Sequence, residues 1–377
     1  MVSSHHLVLS TELLQELLKR WQQADVDVEP LLALRLFQQL HAAYESKATA
    51  VEELLTQAVN RLAPTDPDAA ALLRGKYLEG QSNQHVTRQL NIAEATFYRR
   101  QQQAIARLTE TLNVMEAETL HQRQQLLVQR LEAPTASHLF GLEEAIADLT
   151  ALLTAPLDPH ANAGAVNGTV LPNATAPWLI LVEGMGGIGK TALADAVMRH
   201  LLAHVPTVDI AWVTARQRFL DMGGHLHTVD QPALTGDALV GELAEQLLGE
   251  GAALASADAL LPALQAHLQK HPHVVVIDNL ETVADLEVLL PQLRALANPT
   301  RFLLTSRESL YTQGDIYHYK LSELRWEDAH ALVLHEAHQR NLPQLLQALE
   351  AELYPIYETV GGNPLALRLV VGQMHAH

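Results

Sequence analysis

The sequence feature that most constrains the fold is a six-residue segment with four glycines, which is followed directly by Lys190 and Thr191. This run, GMGGIGKT at 184–191, has the spacing G-x-x-x-x-G-K-[ST] of a phosphate-binding loop, or P loop. The apolar stretch WLILVEG before it is typical of a buried strand, and KTALADAVMRHLLAHV after it has the apolar spacing of a helix. The pattern therefore predicts a strand, a P loop and a helix in succession.

The residue types of this loop suit the binding of phosphate. Glycines let the backbone turn tightly enough for several N–H groups to face one anion. The helix that begins near Gly189 adds its unpaired N–H groups and the positive end of its dipole. Lys190 supplies a mobile positive charge for the β- and γ-phosphates, and the Thr191 hydroxyl is a ligand for Mg²⁺. We expect nucleotide contacts from Gly184, Met185, Gly186, Gly187, Ile188, Gly189, Lys190, Thr191 and Ala192.

Further apolar runs downstream of the loop alternate with helical stretches. VDIAWVTA, HVVVID, RFLLTS and IYHYKL are predicted strands, and the segments between them have helical periodicity. Continuous apolar strands separated by helices indicate a parallel sheet covered on both faces. The predicted fold class is an α/β P-loop NTPase, joined to an all-α N-terminal domain and a small helical C-terminal domain.

The composition of the chain divides it into five predicted parts. Residues 1–132 form the all-α domain, 133–153 the leading helix of the NTPase module and 154–176 a flexible linker or loop. Residues 177–322 form the nucleotide-binding domain, and residues 323–377 form a helical domain.

Polar residues at the ends of two later strands are candidates for metal binding and catalysis. Asp278 follows the run VVVI, and a P loop needs such a carboxylate to hold Mg²⁺. Its neighbour Asn279 cannot act as a base, so Glu281 is the nearest candidate. We therefore predict Asp278 and Glu281 as catalytic residues, with slow or weak ATP hydrolysis. Arg307, after the strand RFLLTS, is placed to sense a γ-phosphate.

Four motifs occur in a fixed order: GMGGIGKTALA, VVVIDN, LLTSR and GGNPLAL. Together they resemble the NB-ARC class of signal transduction ATPases with numerous domains (STAND), over about residues 138–377. Leu142 stands where that class has an arginine. The chain ends where the class continues into a winged-helix domain and a repeat-built sensor, so we expect either a truncated chain or a sensor located elsewhere.

The resemblance implies roles for individual residues. Lys190 and Thr191 would bind phosphates and Mg²⁺, and Asp278 would hold the metal. Arg307 would contact the γ-phosphate of ATP, and Pro364 would lie against the adenine. A closed ADP state and an open, self-associating ATP state follow from the same resemblance. No N-K-x-D guanine motif is present, which favours ADP or ATP over guanine nucleotides.

A basic segment in the N-terminal half has the layout of a helix-turn-helix at about 77–108. Between Arg74 and Arg107 there are six basic and two acidic residues, within a chain of net charge −18. The apolar positions predict two short helices around a turn at 91–93, the second beginning near Glu94. This stretch resembles the helix-turn-helix of sigma-factor region 4. The candidate DNA contacts are Thr96, Tyr98, Arg99 and Arg100.

The segment from RRQQQAIARLTETL to HQRQQLLVQRLE is compatible with one long helix that joins the two halves of the chain. A dimerising role for this helix is a further alternative. The chain has no cysteine, no secretion signal and no apolar run long enough to span a membrane, so we expect it in the cytoplasm.

The leading interpretation is an ADP/ATP-dependent signalling switch that controls an N-terminal output domain in transcription regulation or defence. Two alternatives stay open. One is a sequence-specific DNA-binding regulator with a mainly structural nucleotide. The other is a protein-interaction adaptor whose N-terminal domain does not contact nucleic acid.

Overall fold

The structure is a computed structural model that describes residues 9–21, 28–32, 34–44, 46–131, 138–155, 165–166, 169–170, 177–205, 208–215, 218–220, 226–228, 235–249 and 257–374. The chain forms two compact units, Met1–Leu126 and Leu127–His377. The expected boundary at 132/133 and most of the expected linker at 154–176 lie outside the described residues.

The described residues of the first unit are helical. The helices are α1 (Thr11–Trp21), α2 (Glu29–Leu32), α3 (Arg35–Ala43), α4 (Lys47–Leu62), α5 (Pro67–Leu73), α6 (Asn83–Gln89) and α7 (Glu94–Val128), with a π-helical turn at Arg74–Leu78. Their apolar faces bury one core in which Phe37 and Phe97 have almost no exposed surface.

The helix-turn-helix forms where the sequence predicts it, with one difference. The Ser82 hydroxyl caps α6 by accepting from the His85 N–H at 3.2 Å, and Asn91 turns the chain with a left-handed φ of 50°. The prediction of a short second helix is wrong, because no glycine or proline interrupts α7 over its 35 residues. The long-helix alternative is confirmed instead.

The second unit contains a five-stranded, fully parallel sheet. Its strands are β3 (Leu179–Glu183), β4 (Asp209–Thr214), β7 (His273–Asp278), β8 (Arg301–Ser306) and β9 (Ile316–Lys320), and the spatial order is β4-β7-β8-β3-β9. These are the five strands predicted from the apolar runs, and the α/β fold class is confirmed.

Two short antiparallel ladders accompany the sheet. They pair β1 (Ala165–Val166) with β2 (Thr169–Val170) and β5 (Arg218–Leu220) with β6 (Leu226–Thr228). The unit's helices are α8 (Glu143–Thr154), α9 (Lys190–His204), α10 (Gly236–Leu248), α11 (Ala257–Lys270), α12 (Leu286–Leu296), α13 (Trp326–Gln339), α14 (Pro343–Gln347), α15 (Glu350–Val360) and α16 (Pro364–Met374).

Both faces of the sheet are buried, which explains why its strands are apolar throughout. Ile180 and Val182 of β3 point into a core shared with α8 and α9, whereas Leu179 and Leu181 point into a core shared with α10, α11 and α12. The carboxyl ends of the parallel strands meet at one edge, and the P loop leaves β3 there.

The helices α13 to α16 bury a separate core of their own. Gly362, in the turn between α15 and α16, accepts the Leu324 N–H at 2.9 Å on its carbonyl. A side chain at position 362 would collide with the Leu324 carbonyl, so only glycine fits there. Within the part of the chain that the structure describes, every helix is too short or too polar to cross a membrane.

Candidate functional site

The P loop occupies residues 184–189, between the end of β3 and the start of α9. Gly187 adopts φ +79°, and a Cβ at this position would lie 2.7 Å from the Cβ of Leu365. Glycine is therefore required at position 187 both for its backbone angle and for the close approach of α16. The nine predicted P-loop residues are contiguous at the carboxyl edge of the sheet, as the motif implies.

Lys190 is buried, and its ammonium group lies over the loop that precedes it. Its Nζ donates to the carbonyl oxygens of Gly184 at 2.8 Å and Met185 at 3.0 Å. Burial lowers the pKa of Lys190, and the nearby carboxylate of Glu281 opposes that shift. The loop thus holds a cation that can exchange its carbonyl partners for phosphate oxygens.

Asp278 ends β7 with its carboxylate fully buried. It accepts hydrogen bonds from the hydroxyls of Thr191 at 2.9 Å and Thr305 at 2.6 Å. Thr305 belongs to β8, which lies between β7 and β3, and its Oγ1 also accepts the Asn279 N–H at 2.9 Å. Asn279 has a left-handed backbone, with φ 63° and ψ 55°.

These contacts place the two predicted metal ligands, Thr191 and Asp278, side by side. A hydroxyl and a carboxylate are hard oxygen donors of the kind that Mg²⁺ prefers. The donor set therefore fits the expected ion. The sequence singled out LLTS as a strand end but did not assign Thr305 to the carboxylate of Asp278.

Glu281 and Arg307, predicted as base and γ-phosphate sensor, contact each other. The Glu281 carboxylate accepts the Arg307 backbone N–H at 3.2 Å and lies 3.0 Å from its Nε. The guanidinium of Arg307 is also next to the P loop, since a Cβ at Gly186 would be 3.4 Å from its Cζ. The Glu281 side chain is 12% exposed and that of Arg307 is 65% exposed, so the arginine has the greater freedom to move.

The GGNPLAL motif touches the P loop through residues on both sides of Pro364. The Asn363 side-chain amide donates to the Gly186 carbonyl at 3.0 Å, and the Leu365 N–H donates to the Gly187 carbonyl at 3.3 Å. Pro364 itself is the first residue of α16. Asn363 was not predicted as a site residue, although an Asn just before a Pro at the start of a helix is a typical cap.

A second missed residue is Glu183, which ends β3 and immediately precedes the P loop. It is buried and accepts from the Tyr311 hydroxyl at 2.7 Å, and its other oxygen lies 3.1 Å from Nδ1 of His318. Burial alone would raise the pKa of Glu183, but hydrogen bonds from Ser309, Tyr311 and His318 lower it overall.

The four candidate DNA contacts lie on the first two turns of α7. Tyr98 is 66% exposed, and Arg99 is exposed and makes no ion pair with any residue that the structure describes. Thr96 donates its hydroxyl to the Ala93 carbonyl at 2.7 Å, and Arg100 lies 3.6 Å from Asp68. Two of the four side chains therefore already have a protein partner.

Two protein families match separate parts of the chain. Residues 176–313 match the family described as AAA domain, and residues 33–114 match the family described as ECF sigma factor. The first range contains the P loop, Asp278 and Arg307, and the second contains the helix-turn-helix. The chain is therefore similar to the AAA domain family and to the ECF sigma-factor family over two separate ranges.

Two solved structures are similar to parts of the chain. One is the STAND protein with a tetratricopeptide repeat sensor from Pyrococcus horikoshii, at 16% identity and a TM-score of 0.34, covering 52% of this chain and 28% of that one. The other is PCH-2 of C. elegans, at 12% identity and a TM-score of 0.35, covering 62% of this chain and 61% of that one. The chain thus spans less than two thirds of the length of either protein.

Proposed function

We propose that the chain is an adenine-nucleotide switch of the STAND class that hydrolyses ATP slowly and whose N-terminal helical domain provides the output. The observation that carries this proposal is the contact of α16 with the P loop through Asn363 and Leu365. A phosphate bound in the loop would act on the same peptides that the helical segment holds. The borders of the domains, at 132/133, 176/177 and 322/323, remain part of the proposal.

In this proposal the chain's own residues bind and orient the nucleotide. Lys190 leaves the carbonyls of Gly184 and Met185 to contact the β- and γ-phosphates. Thr191 and Asp278 hold Mg²⁺, which neutralises phosphate charge when it is bound. Pro364 lies against the adenine. These assignments extend the P-loop chemistry to residues that the sheet edge already brings together.

The pair of Glu281 and Arg307 supplies the difference between ADP and ATP. A γ-phosphate attracts the exposed guanidinium of Arg307, which then releases the Glu281 carboxylate. Without that phosphate, Arg307 stays paired with Glu281. Hydrolysis of bound ATP is slow because Asn279, next to Asp278, offers no base. A ligand shifts a conformational equilibrium only through its different affinity for the two states, and this exchange of partners creates such a difference. We assign ATP-dependent self-association to the same step.

The substitution Lys190→Ala tests the proposal. Removing the ammonium group eliminates charge-assisted hydrogen bonds to phosphate, so we expect ADP and ATP to bind at least about tenfold more weakly. Isothermal titration of the full chain measures the affinity, and circular dichroism checks the fold. Lys270→Ala, at the exposed end of α11, is the matched control and should bind as the unaltered protein does. Unchanged ADP affinity in the Lys190 variant would refute the P-loop assignment.

A second candidate function is sequence-specific binding of duplex DNA by the helix-turn-helix. The observation that favours it is the match to the ECF sigma-factor family over residues 33–114, together with the exposed Tyr98 and Arg99 at the start of α7. Side chains at the start of the second helix of this motif reach base edges and phosphates in the major groove. In this case the nucleotide would be mainly structural.

A further inference from the structure

The side chain of Asn363 makes two kinds of contact at once. Its Oδ1 accepts the N–H groups of Leu365 at 3.1 Å and Ala366 at 3.2 Å, so it caps the start of α16. Its Nδ2 donates to the carbonyl of Gly186, which is 177 positions away in the chain. The amide carries its acceptor and its donor on two different atoms, so it serves both partners at once.

The contact with Gly186 fixes the orientation of a peptide group in the P loop. In a trans peptide the carbonyl of one residue and the N–H of the next point in opposite directions. Because Asn363 holds the Gly186 carbonyl toward α16, the N–H of Gly187 is directed away from α16. The Leu365 N–H holds the next carbonyl, that of Gly187, from the same side. Successive N–H groups on the inner side of such a loop form the cradle for an anion.

We infer that Asn363 is a positioning residue for nucleotide binding, which orients the Gly186–Gly187 peptide through its side-chain amide. This inference rests on the proposed function of the P loop. Since coupling between two sites is reciprocal, a bound phosphate that fixes this peptide also strengthens the hold of the loop on α16. Asn363 thereby connects occupancy of the loop with the order of the first turns of α16.

Two substitutions of Asn363 distinguish the role of its amide donor to Gly186 from its role as the cap of α16. Asn363→Ser keeps a good helix cap and adds no charge, but its side chain is too short to replace the amide donor. Asn363→Ala removes both the cap and the donor. If Asn363 serves only as a cap, thermal stability and nucleotide affinity should change together in the two variants.

The experiment measures ADP affinity and the melting temperature of the full chain for the unaltered protein and both variants. We expect Asn363→Ser to melt as the unaltered protein does while binding ADP roughly three- to tenfold more weakly, the effect of one lost hydrogen bond. Asn363→Ala should show both the weaker binding and a lower melting temperature. Hydrogen exchange adds a second readout, because ADP should protect amides of α16 less in Asn363→Ser than in the unaltered protein.

The outcomes distinguish this inference from the proposed function. If the unaltered protein binds ADP and Asn363→Ser binds it equally well, the positioning role is wrong and the switch proposal stands. If the unaltered protein does not bind ADP at all, the proposed function fails and the positioning role fails with it.

Discussion

At the scale of single residues, His273 shows how burial sets the protonation of a side chain. It lies at the start of β7, where its Nδ1 is 2.6 Å from the His271 carbonyl oxygen. Because a carbonyl only accepts, Nδ1 must carry a proton. Burial lowers the pKa of His273 from 6.5 to about 4, although the nearby Asp209 opposes the shift.

This low pKa predicts a loss of stability in mild acid. The unfolded chain takes up a proton on this residue near pH 6.5, whereas the folded chain resists protonation down to about pH 4. The stabilising contribution is therefore complete above pH 6.5 and is lost as the pH falls toward 4. At about 1.4 kcal/mol per pH unit, the loss in unfolding free energy reaches about 3 kcal/mol.

The measurement is urea unfolding of the unaltered protein and of His273→Asn at pH 7 and pH 5. Asparagine retains an N–H donor near the position of Nδ1 but does not titrate. We expect the unaltered protein to lose more stability between the two pH values than the variant does. Equal losses would show that His273 does not contribute to the acid sensitivity.

The residues of the candidate site differ in how far the sequence reveals them. Gly184 to Thr191 are recognisable because their chemistry depends on neighbours in the chain, and Asp278 because it ends an apolar run. Asn363 and Thr305 are not, because their partners lie 177 and 27 positions away and are brought near only by the packing of strands and helices.

At the scale of elements, a side chain of α7 caps the start of helix α3 in the first unit. Helix α3 begins after Leu34, which provides no side-chain cap. The buried carboxylate of Glu116 on α7 accepts the backbone N–H groups of Arg35 at 2.8 Å and Leu36 at 2.9 Å instead. A carboxylate at this position satisfies unpaired N–H groups and complements the positive end of the helix dipole.

The substitution Glu116→Gln should loosen the start of α3. The amide retains one acceptor oxygen but turns an NH₂ group toward the second N–H, so we expect a loss of about 1–2 kcal/mol in local stability. Hydrogen exchange of residues 34–44 in the full chain reports it as faster exchange. Glu118→Gln is the matched control, because Glu118 is half-exposed on the same helix and pairs with the exposed Arg61. Equal exchange in the two variants would contradict the capping role.

The elements of the sheet were predictable because each strand is buried on both faces and is therefore continuously apolar. The β5–β6 ladder was not predicted, because each of its strands has three residues, which is too short for an alternating apolar pattern to be recognised. The length of α7 was underestimated in the helix-turn-helix prediction because apolar spacing defines the packed part of a helix, whereas its continuation depends on the absence of breakers.

At the scale of the whole molecule, the net charge of −18 opposes general attraction to nucleic acid. Any binding to duplex DNA therefore depends on the local basic surface at the start of α7. Arg99 is exposed there without an ion pair among the residues that the structure describes, while Arg107 farther along the helix pairs with Glu110 at 3.1 Å.

We predict that Arg99→Ala weakens duplex binding and lowers the slope of log affinity against log salt by about one, as expected for one lost phosphate contact. Arg107→Ala is the control and should have a smaller effect, because Glu110 already neutralises its charge. Fluorescence anisotropy with a labelled duplex at several salt concentrations provides the comparison. If the unaltered protein does not bind the duplex at any salt concentration, the result would instead favour the adaptor, whose N-terminal domain contacts only protein.

The left-handed backbone at Asn279 has a consequence for how such a chain can evolve. Few residue types tolerate that conformation, and aspartate is one that shares the shape of asparagine. The codons for the two residues differ by a single base. A lineage carrying this sequence is thus one point mutation away from a second carboxylate beside Asp278, with little backbone strain to overcome. Under the proposed switch, this single substitution would change the lifetime of the ATP state while the rest of the architecture is inherited intact.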